Sequence, residues 1–393
     1  MEKIITSCII FTMVSSILIS PLGYLSVLGV LILFILWDRA YGIFLTIGSN
    51  KPFSIFLIFM FLSVLFSNLK YSSIAFFTIV ALQFIYYSMV MHYISRKGVN
   101  SLFNVLNGIA IIASSYGIYQ LLSGKLYINK HWTGYSESLS SLGRVYSTLY
   151  NPNVFAAYLV ITICFILCWM LVMDINHSKI VSLVLCSFSL IFTYSRGAFV
   201  SLMAALIIIY LFKRDYRVIL YGVFMIVLFI IFNNGMAYER IDVANINNDS
   251  SSVYRLEIWR TSFRIFMENP ILGNGIGTLW YSISAVSTRL WGVIYHAHNL
   301  LLHIAAETGI LGLISFLSIF VSLITSSCKS VRNTDDCIEK FAALGTIGSC
   351  TAIMVHGLID AAVVAPNLSL ILMNYYGLAC YALGILKLNT LNT

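Results

Sequence analysis

Apolar stretches of about 15 to 25 residues, parted by short polar breaks, follow one another along nearly all of the 393-residue chain. Such a pattern predicts membrane-spanning helices, because a helix satisfies its backbone hydrogen bonds within one segment and lipid offers no others. The stretches run 4–20, 22–37, 53–68, 74–94, 102–122, 154–173, 180–194, 198–212, 218–232, 300–326, 341–364 and 368–386, about twelve spans in all. Only Pro21 and Gly23 divide the first pair, and only Ser195-Arg196-Gly197 divides the seventh from the eighth. Each of these joint runs is too long for one crossing. The N-terminal run passes directly into another, so it reads as a retained anchor and not as a cleavable signal.

Composition agrees. Hydrophobic residues make up 60% of the chain and charged residues 10%, against about 25% charged in soluble domains, and the mean hydropathy is +0.91. The fold class expected is an all-α polytopic membrane protein, residues 1–393 forming one domain without fixed repeats or a soluble module.

Charge then orients it. The short loops carrying Lys3, Arg39, Lys51, Arg96, Lys97, Lys179, Lys213, Arg214, Arg217, Lys329, Arg332, Lys340 and Lys387 fall on one side when the spans alternate, and the positive-inside bias makes that side cytoplasmic. Both termini are then inside. The net charge of +8 is explained by these scattered residues, so no nucleic-acid partner is implied. Two longer segments face outward, 125–151 and 233–299. Neither contains cysteine. Most of the eight cysteines lie in apolar spans, so no disulfide framework is expected, and Cys164 and Cys168 read as small packing residues.

The candidate chemistry lies on the outer side. Residues 254–266 place apolar side chains on one helical face and arginines on another, which predicts an amphipathic helix on the membrane surface or capping the bundle, with Arg255 near its start. Gly273, Gly275 and Gly277 read as a turn allowing close backbone approach more readily than as a phosphate nest. Trp132, Tyr135, Trp259, Trp280, Tyr281, Trp291 and Tyr295 fit an interfacial belt or sugar-stacking platforms equally well. Arg196, beside Gly197, is placed to snorkel to lipid phosphate or to clamp a pyrophosphate. Asn151 and Asn153 flank Pro152 at a helix start, which suits capping, with ligand contact as the alternative.

His296 and His298, one residue apart, present a metal pair, a helix cap or a base, and no third ligand set is apparent in the sequence. His298 precedes Asn299 at a helix N-terminus and is the better placed for proton transfer. Glu307 lies about two turns into that helix. His356 and Asp360 are spaced i, i+4 in the next-to-last span, where each could satisfy the other.

Taken in order, Thr193-Tyr194-Ser195-Arg196-Gly197-Ala198, the Asn-Pro-Asn turn, Arg255 with Trp259, Asn269-Pro270 before Gly273-Asn274-Gly275, and His298-Asn299 ahead of Gly309 and Gly312 resemble the O-antigen ligase and O-antigen polymerase superfamily. By motif the resemblance spans 145–312. It implies a GT-C-like bacterial inner-membrane glycosyltransferase that takes a glycan from undecaprenyl pyrophosphate on the periplasmic side, inverting, without cofactor or metal. Arg196 and Arg255 would bind the pyrophosphate and His298 would act at the acceptor hydroxyl, with His296, Asn299, Glu307, Asn151 and Asn153 as possible supports. Its partners would be the lipid-linked donor, a glycan or lipid-linked acceptor, membrane lipids and a chain-length regulator. Repeat-unit polymerisation leads, and ligation to a lipid A core sugar or another surface acceptor is the alternative. A flippase for lipid-linked glycans would instead spread charges along a central path with internal symmetry, whereas these motifs cluster at one face.

Overall fold

The computed structural model describes residues 1–37, 40–124, 126, 143–233, 250–286 and 294–382. Arg39, Lys125, Trp132, Tyr135, the stretch 247–249, Trp291 and Lys387 therefore lie outside the described residues. The remainder is helical. In chain order the helices are α1 (Glu2–Leu18), α2 (Ser20–Leu36), α3 (Ala40–Ser49), α4 (Lys51–Phe66), α5 (Lys70–Lys97), α6 (Val99–Leu122), α7 (Pro152–Val172), α8 (His177–Phe192), α9 (Arg196–Lys213), α10 (Tyr216–Asn233), α11 (Ser250–Glu268), α12 (Leu279–Val286), α13 (Leu300–Asn333), α14 (Cys337–Gly357) and α15 (Pro366–Ala382), with short 3-10 turns at Ser147–Leu149 and Ala362–Val364.

Every apolar stretch read from the sequence forms a helix. Six of them, α5, α6, α7, α9, α13 and α14, are long and apolar enough to cross a membrane, and α2, α4, α8 and α10 are shorter apolar helices. This is the build of a polytopic membrane protein. The first pair divides at Ile19, whose extended backbone separates α1 from α2, and Pro21 lies in the first turn of α2, where a missing N–H costs nothing. The seventh and eighth stretches divide where expected, between Phe192 and Arg196. Helix α3 had no counterpart in the sequence reading, being too short to register as a span.

The core is centred on α7, which is almost wholly buried and packs against α14 and α9. Small residues permit this. A side chain at Gly345 of α14 would strike Phe165, and one at Gly348 would press on Ile209 with Cys164 just behind, so α14 lies close against both neighbours. Cys164 and Cys168 are buried and free, in keeping with a packing role.

The structure departs from the expected run of helix in two places. Helix α14 ends at Gly357, so Asp360 is not in the span but in the turn beyond it, its N–H donating to the His356 carbonyl at 2.9 Å. Helix α13 is broken at Gly309, which has φ 69°. The break is filled by the outer loop: Ile310 and Leu311 donate to the carbonyls of Pro270 and Ile271 at 2.8 and 3.4 Å, while Asn274 and Gly275 donate to those of Ala306 and Glu307 at 3.0 and 2.9 Å. Any side chain at Gly309 would overlap the Ile271 carbonyl. Gly273, Gly275 and Gly277 all have positive φ, and their N–H groups go to the Asn269 carbonyl, the Glu307 carbonyl and the Glu307 carboxylate. The glycine run is thus a close-approach turn whose N–H groups are taken up by Asn269 and Glu307 and not by a phosphate.

Above this seam sits a small second core of Ile258 and Ile265 from α11, Leu279 and Ile283 from α12, and Ile294, Ala297 and Ala306. Helix α11 buries that face and leaves Leu256, Phe263 and Met267 exposed on the other.

Candidate active site

Four helix ends meet at one end of the bundle: the starts of α7, α9 and α13 and the end of α14. Lys213, Lys329, Arg332 and Lys340 lie at the far ends of α9, α13 and α14. Among the described residues five non-glycine positions have positive φ, and four of them lie in the segments that lead into α7, α9 and α13: Ser147, Tyr150, Tyr194 and His298. A left-handed residue costs about 1–2 kcal/mol, and such strain concentrates where a side chain must be aimed.

His298, with φ 49°, is held from two sides. The Trp259 indole N–H donates to its carbonyl at 3.2 Å. Asn299 is the N-cap of α13, its side chain accepting from the Leu302 N–H at 3.0 Å, and its amide group donates to the Leu358 carbonyl at 3.2 Å, which ties α13 to the end of α14. Trp259 lies one helical turn after Arg255 on α11, so both occupy the flank turned to His298.

Asp360, absent from the sequence-level site, is its anchor. Its Oδ1 stands 3.8 Å from the Nδ1 atoms of both His296 and His298, and among the described residues neither this oxygen nor His298 Nδ1 has a hydrogen-bond partner. Its Oδ2 accepts from Asn153 Nδ2 at 2.6 Å. The two rings meet edge to face with centroids 4.3 Å apart, and His296 Nδ1 accepts from the His298 N–H at 3.3 Å. Burial, then the neighbouring His296, pushes His298 down to about 3, with Arg255 adding to the fall and Asp360 opposing it. Burial alone would push the Asp360 carboxyl up, but His296, His298, His356 and Arg255 together hold it well below the usual carboxylate range. At neutral pH the corner therefore holds a carboxylate beside a neutral imidazole.

The supports divide by role. Asn151 is the N-cap of α7, accepting from the Asn153 and Val154 N–H groups at 2.8 and 3.3 Å, so capping accounts for it. Asn153 reaches Asp360 instead. Glu307 is turned away from this corner. Its carboxylate accepts from the Gly277 and Leu279 N–H groups at 2.9 and 3.1 Å and faces His303 Nε2 at 3.5 Å, which pins the outer loop. Arg196 is the first residue of α9 and exposed. A side chain at the adjacent Gly197 would stand 3.2 Å from the His356 ring and 3.7 Å from Ile359, which sets this helix start against the turn that carries Asp360. The structure thus gathers Arg196, Arg255, His296, His298, Asn299 and Asn153 and leaves Glu307 in a loop-holding position. The sequence signal for Asp360 was an acidic residue at the outer end of an apolar run.

Among the described residues, His296, His298 and Asp360 are also a group that could hold a metal ion, their donor atoms lying within 4.8 Å of one another. This supplies the third ligand that the sequence did not reveal. Donor atoms about 2.0–2.2 Å from a tetrahedral ion lie closer together than these do, and His296 Nδ1 is already engaged by a backbone N–H.

A polytopic membrane protein with a histidine–aspartate corner framed by arginines at one end of its bundle is the class that fold and site define. Residues 181–317, from α8 into α13, match the family model described as O-antigen ligase, and this supports the O-antigen ligase and polymerase superfamily for the chain. No curated protein matches it. The match covers about a third of the chain, and the apolar helices within and around it are those of a polytopic membrane protein.

Proposed function

We propose that this protein is a glycosyltransferase moving a glycan from undecaprenyl pyrophosphate to a sugar hydroxyl at the outer face of the bacterial inner membrane, with repeat-unit polymerisation ahead of ligation. The observation that carries the reading is His298, aimed by a left-handed backbone and a Trp259 clamp at a buried carboxylate with an unused oxygen. Orientation is supported by the basic residues gathered at the opposite ends of the helices that form the corner.

The chemistry follows from charge. With Nδ1–H turned toward Asp360, His298 keeps the lone pair of Nε2 for the acceptor hydroxyl, and Asp360 stabilises the imidazolium as the proton arrives. The acceptor oxygen attacks the anomeric carbon, the bond to the pyrophosphate breaks on the opposite face, and the departing charge falls to Arg196 and Arg255. Binding the donor also prepares the base. Arg255 is one of the groups that depress His298, and a pyrophosphate that neutralises it raises the imidazole toward neutral pH, where a base is most effective.

Reconstitution with undecaprenyl-pyrophosphate glycan, alone and with lipid A core acceptor, tests the reading. Chain growth without a second acceptor identifies a polymerase, and transfer only with it a ligase. Lipid-linked glycan crossing the bilayer without any transfer would overturn the proposal.

A further inference from the structure

Arg144 lies in the outward segment before α7, outside every motif so far described. Its Nε donates to the Thr193 carbonyl at 2.7 Å, in the turn that leads to Arg196. Its Nη2 donates to Asn153 Oδ1 at 2.8 Å, and Asn153 Nδ2 donates in turn to Asp360 Oδ2 at 2.6 Å. We infer that Arg144 is a positioning residue for the transfer reaction, one guanidinium that fixes both the carboxylate facing His298 and the helix start bearing Arg196.

The argument is one of donor and acceptor inventory. An asparagine amide is ambiguous by itself, because rotating it by half a turn exchanges its oxygen and nitrogen. Arginine has donors only, and an ionised carboxylate acceptors only. Set between them, the Asn153 amide has one orientation that satisfies both ends. Asp360 Oδ2 is thereby occupied and Oδ1 is left for His296 and His298, which is the arrangement observed. The second guanidinium arm spans from α7 to the α8–α9 turn, so the distance between the proposed base and the proposed pyrophosphate clamp is set by a rigid fork. Lysine is a point charge on a flexible stem and cannot reproduce two directed bonds.

This inference rests on the transferase reading, so its test needs one measurement that does not require turnover. Wild type, Arg144→Ala and Arg144→Lys are reconstituted, and glycan transfer is measured with and without millimolar guanidinium. The rate at which diethyl pyrocarbonate modifies His298 is followed by mass spectrometry in the same samples, with the exposed His177 as internal reference. Arg144→Ala should lower kcat about tenfold or more, the loss of a hydrogen bond to a charged group, while the donor KM changes much less. Guanidinium should restore part of that loss in Arg144→Ala and none in Arg144→Lys. The His298 modification rate should depart from wild type in Arg144→Ala, return with guanidinium, and leave His177 unaffected. If the modification rate of His298 is the same in all three proteins, or if guanidinium restores neither measurement, Arg144 does not position this site. If the His298 rates shift as expected while wild type transfers no glycan, the positioning stands and the transferase reading falls.

Discussion

Two buried carboxylates near one end of the bundle, Glu307 and Asp360, look alike in the sequence and differ in what surrounds them. Both oxygens of Glu307 accept backbone N–H groups of the glycine turn. Asp360 has one oxygen taken by Asn153, and the other faces two imidazoles without a hydrogen bond among the described residues. A buried carboxylate whose oxygens are all engaged holds structure together. One left half engaged, in a corner of strained backbone, has a charge available for chemistry.

Substitution should separate the two. His298→Ala and Asp360→Asn are expected to lower glycan transfer by at least about a hundredfold, the scale of a lost general base or its partner, while the protein inserts normally. Arg196→Ala and Arg255→Ala should weaken donor affinity about tenfold each, the worth of a charge-assisted hydrogen bond, as read by titration with undecaprenyl-pyrophosphate glycan. Glu307→Ala should act through stability instead. It strands the buried Gly277 and Leu279 N–H groups at about 1–3 kcal/mol each, so faster proteolysis within 270–279 and a lower Tm should accompany any loss of activity. A Glu307→Ala protein with wild-type protease resistance and no turnover would place both carboxylates in the chemistry and dissolve the contrast. The smallest effect is expected at Asn151→Ala, about 1 kcal/mol of helix capping with kcat nearly unchanged, beside a much larger loss of kcat at its neighbour Asn153→Ala.

pH sharpens the same comparison. His298, pushed down to about 3 by burial, stays neutral until pH falls through that region, so kcat/KM should hold flat from pH 8 well below 6. Donor charge raises the imidazole, so the acid limb of kcat should lie at higher pH than that of kcat/KM. Coincident limbs would mean that the pyrophosphate does not sit near His298.

The sequence made the helices legible because a membrane demands long apolar runs, and each run became a helix, most within a few residues of their expected ends, while α13 runs seven residues further and α14 stops seven residues short. It made His298, Arg196 and Arg255 candidates through their order, and the first two also through their setting at helix starts. The partners of those residues were hidden. Asp360 meets His298 only after α13 and α14 pack side by side, and the end of α14 at Gly357 moves it from a span into a turn. Arg144 passed as one more basic residue of a long outer segment, where charge says little about topology. The break at Gly309 was invisible because the carbonyls and N–H groups that make it affordable come from 270–275, a loop distant in sequence.

The most direct test is transfer from undecaprenyl-pyrophosphate glycan by His298→Ala in proteoliposomes, normalised to correctly inserted protein and run beside wild type and Glu307→Gln. The account predicts a loss of at least about a hundredfold for His298→Ala, with Glu307→Gln, which keeps one carbonyl acceptor for the glycine turn, retaining most of its activity. Wild-type turnover in His298→Ala would contradict it.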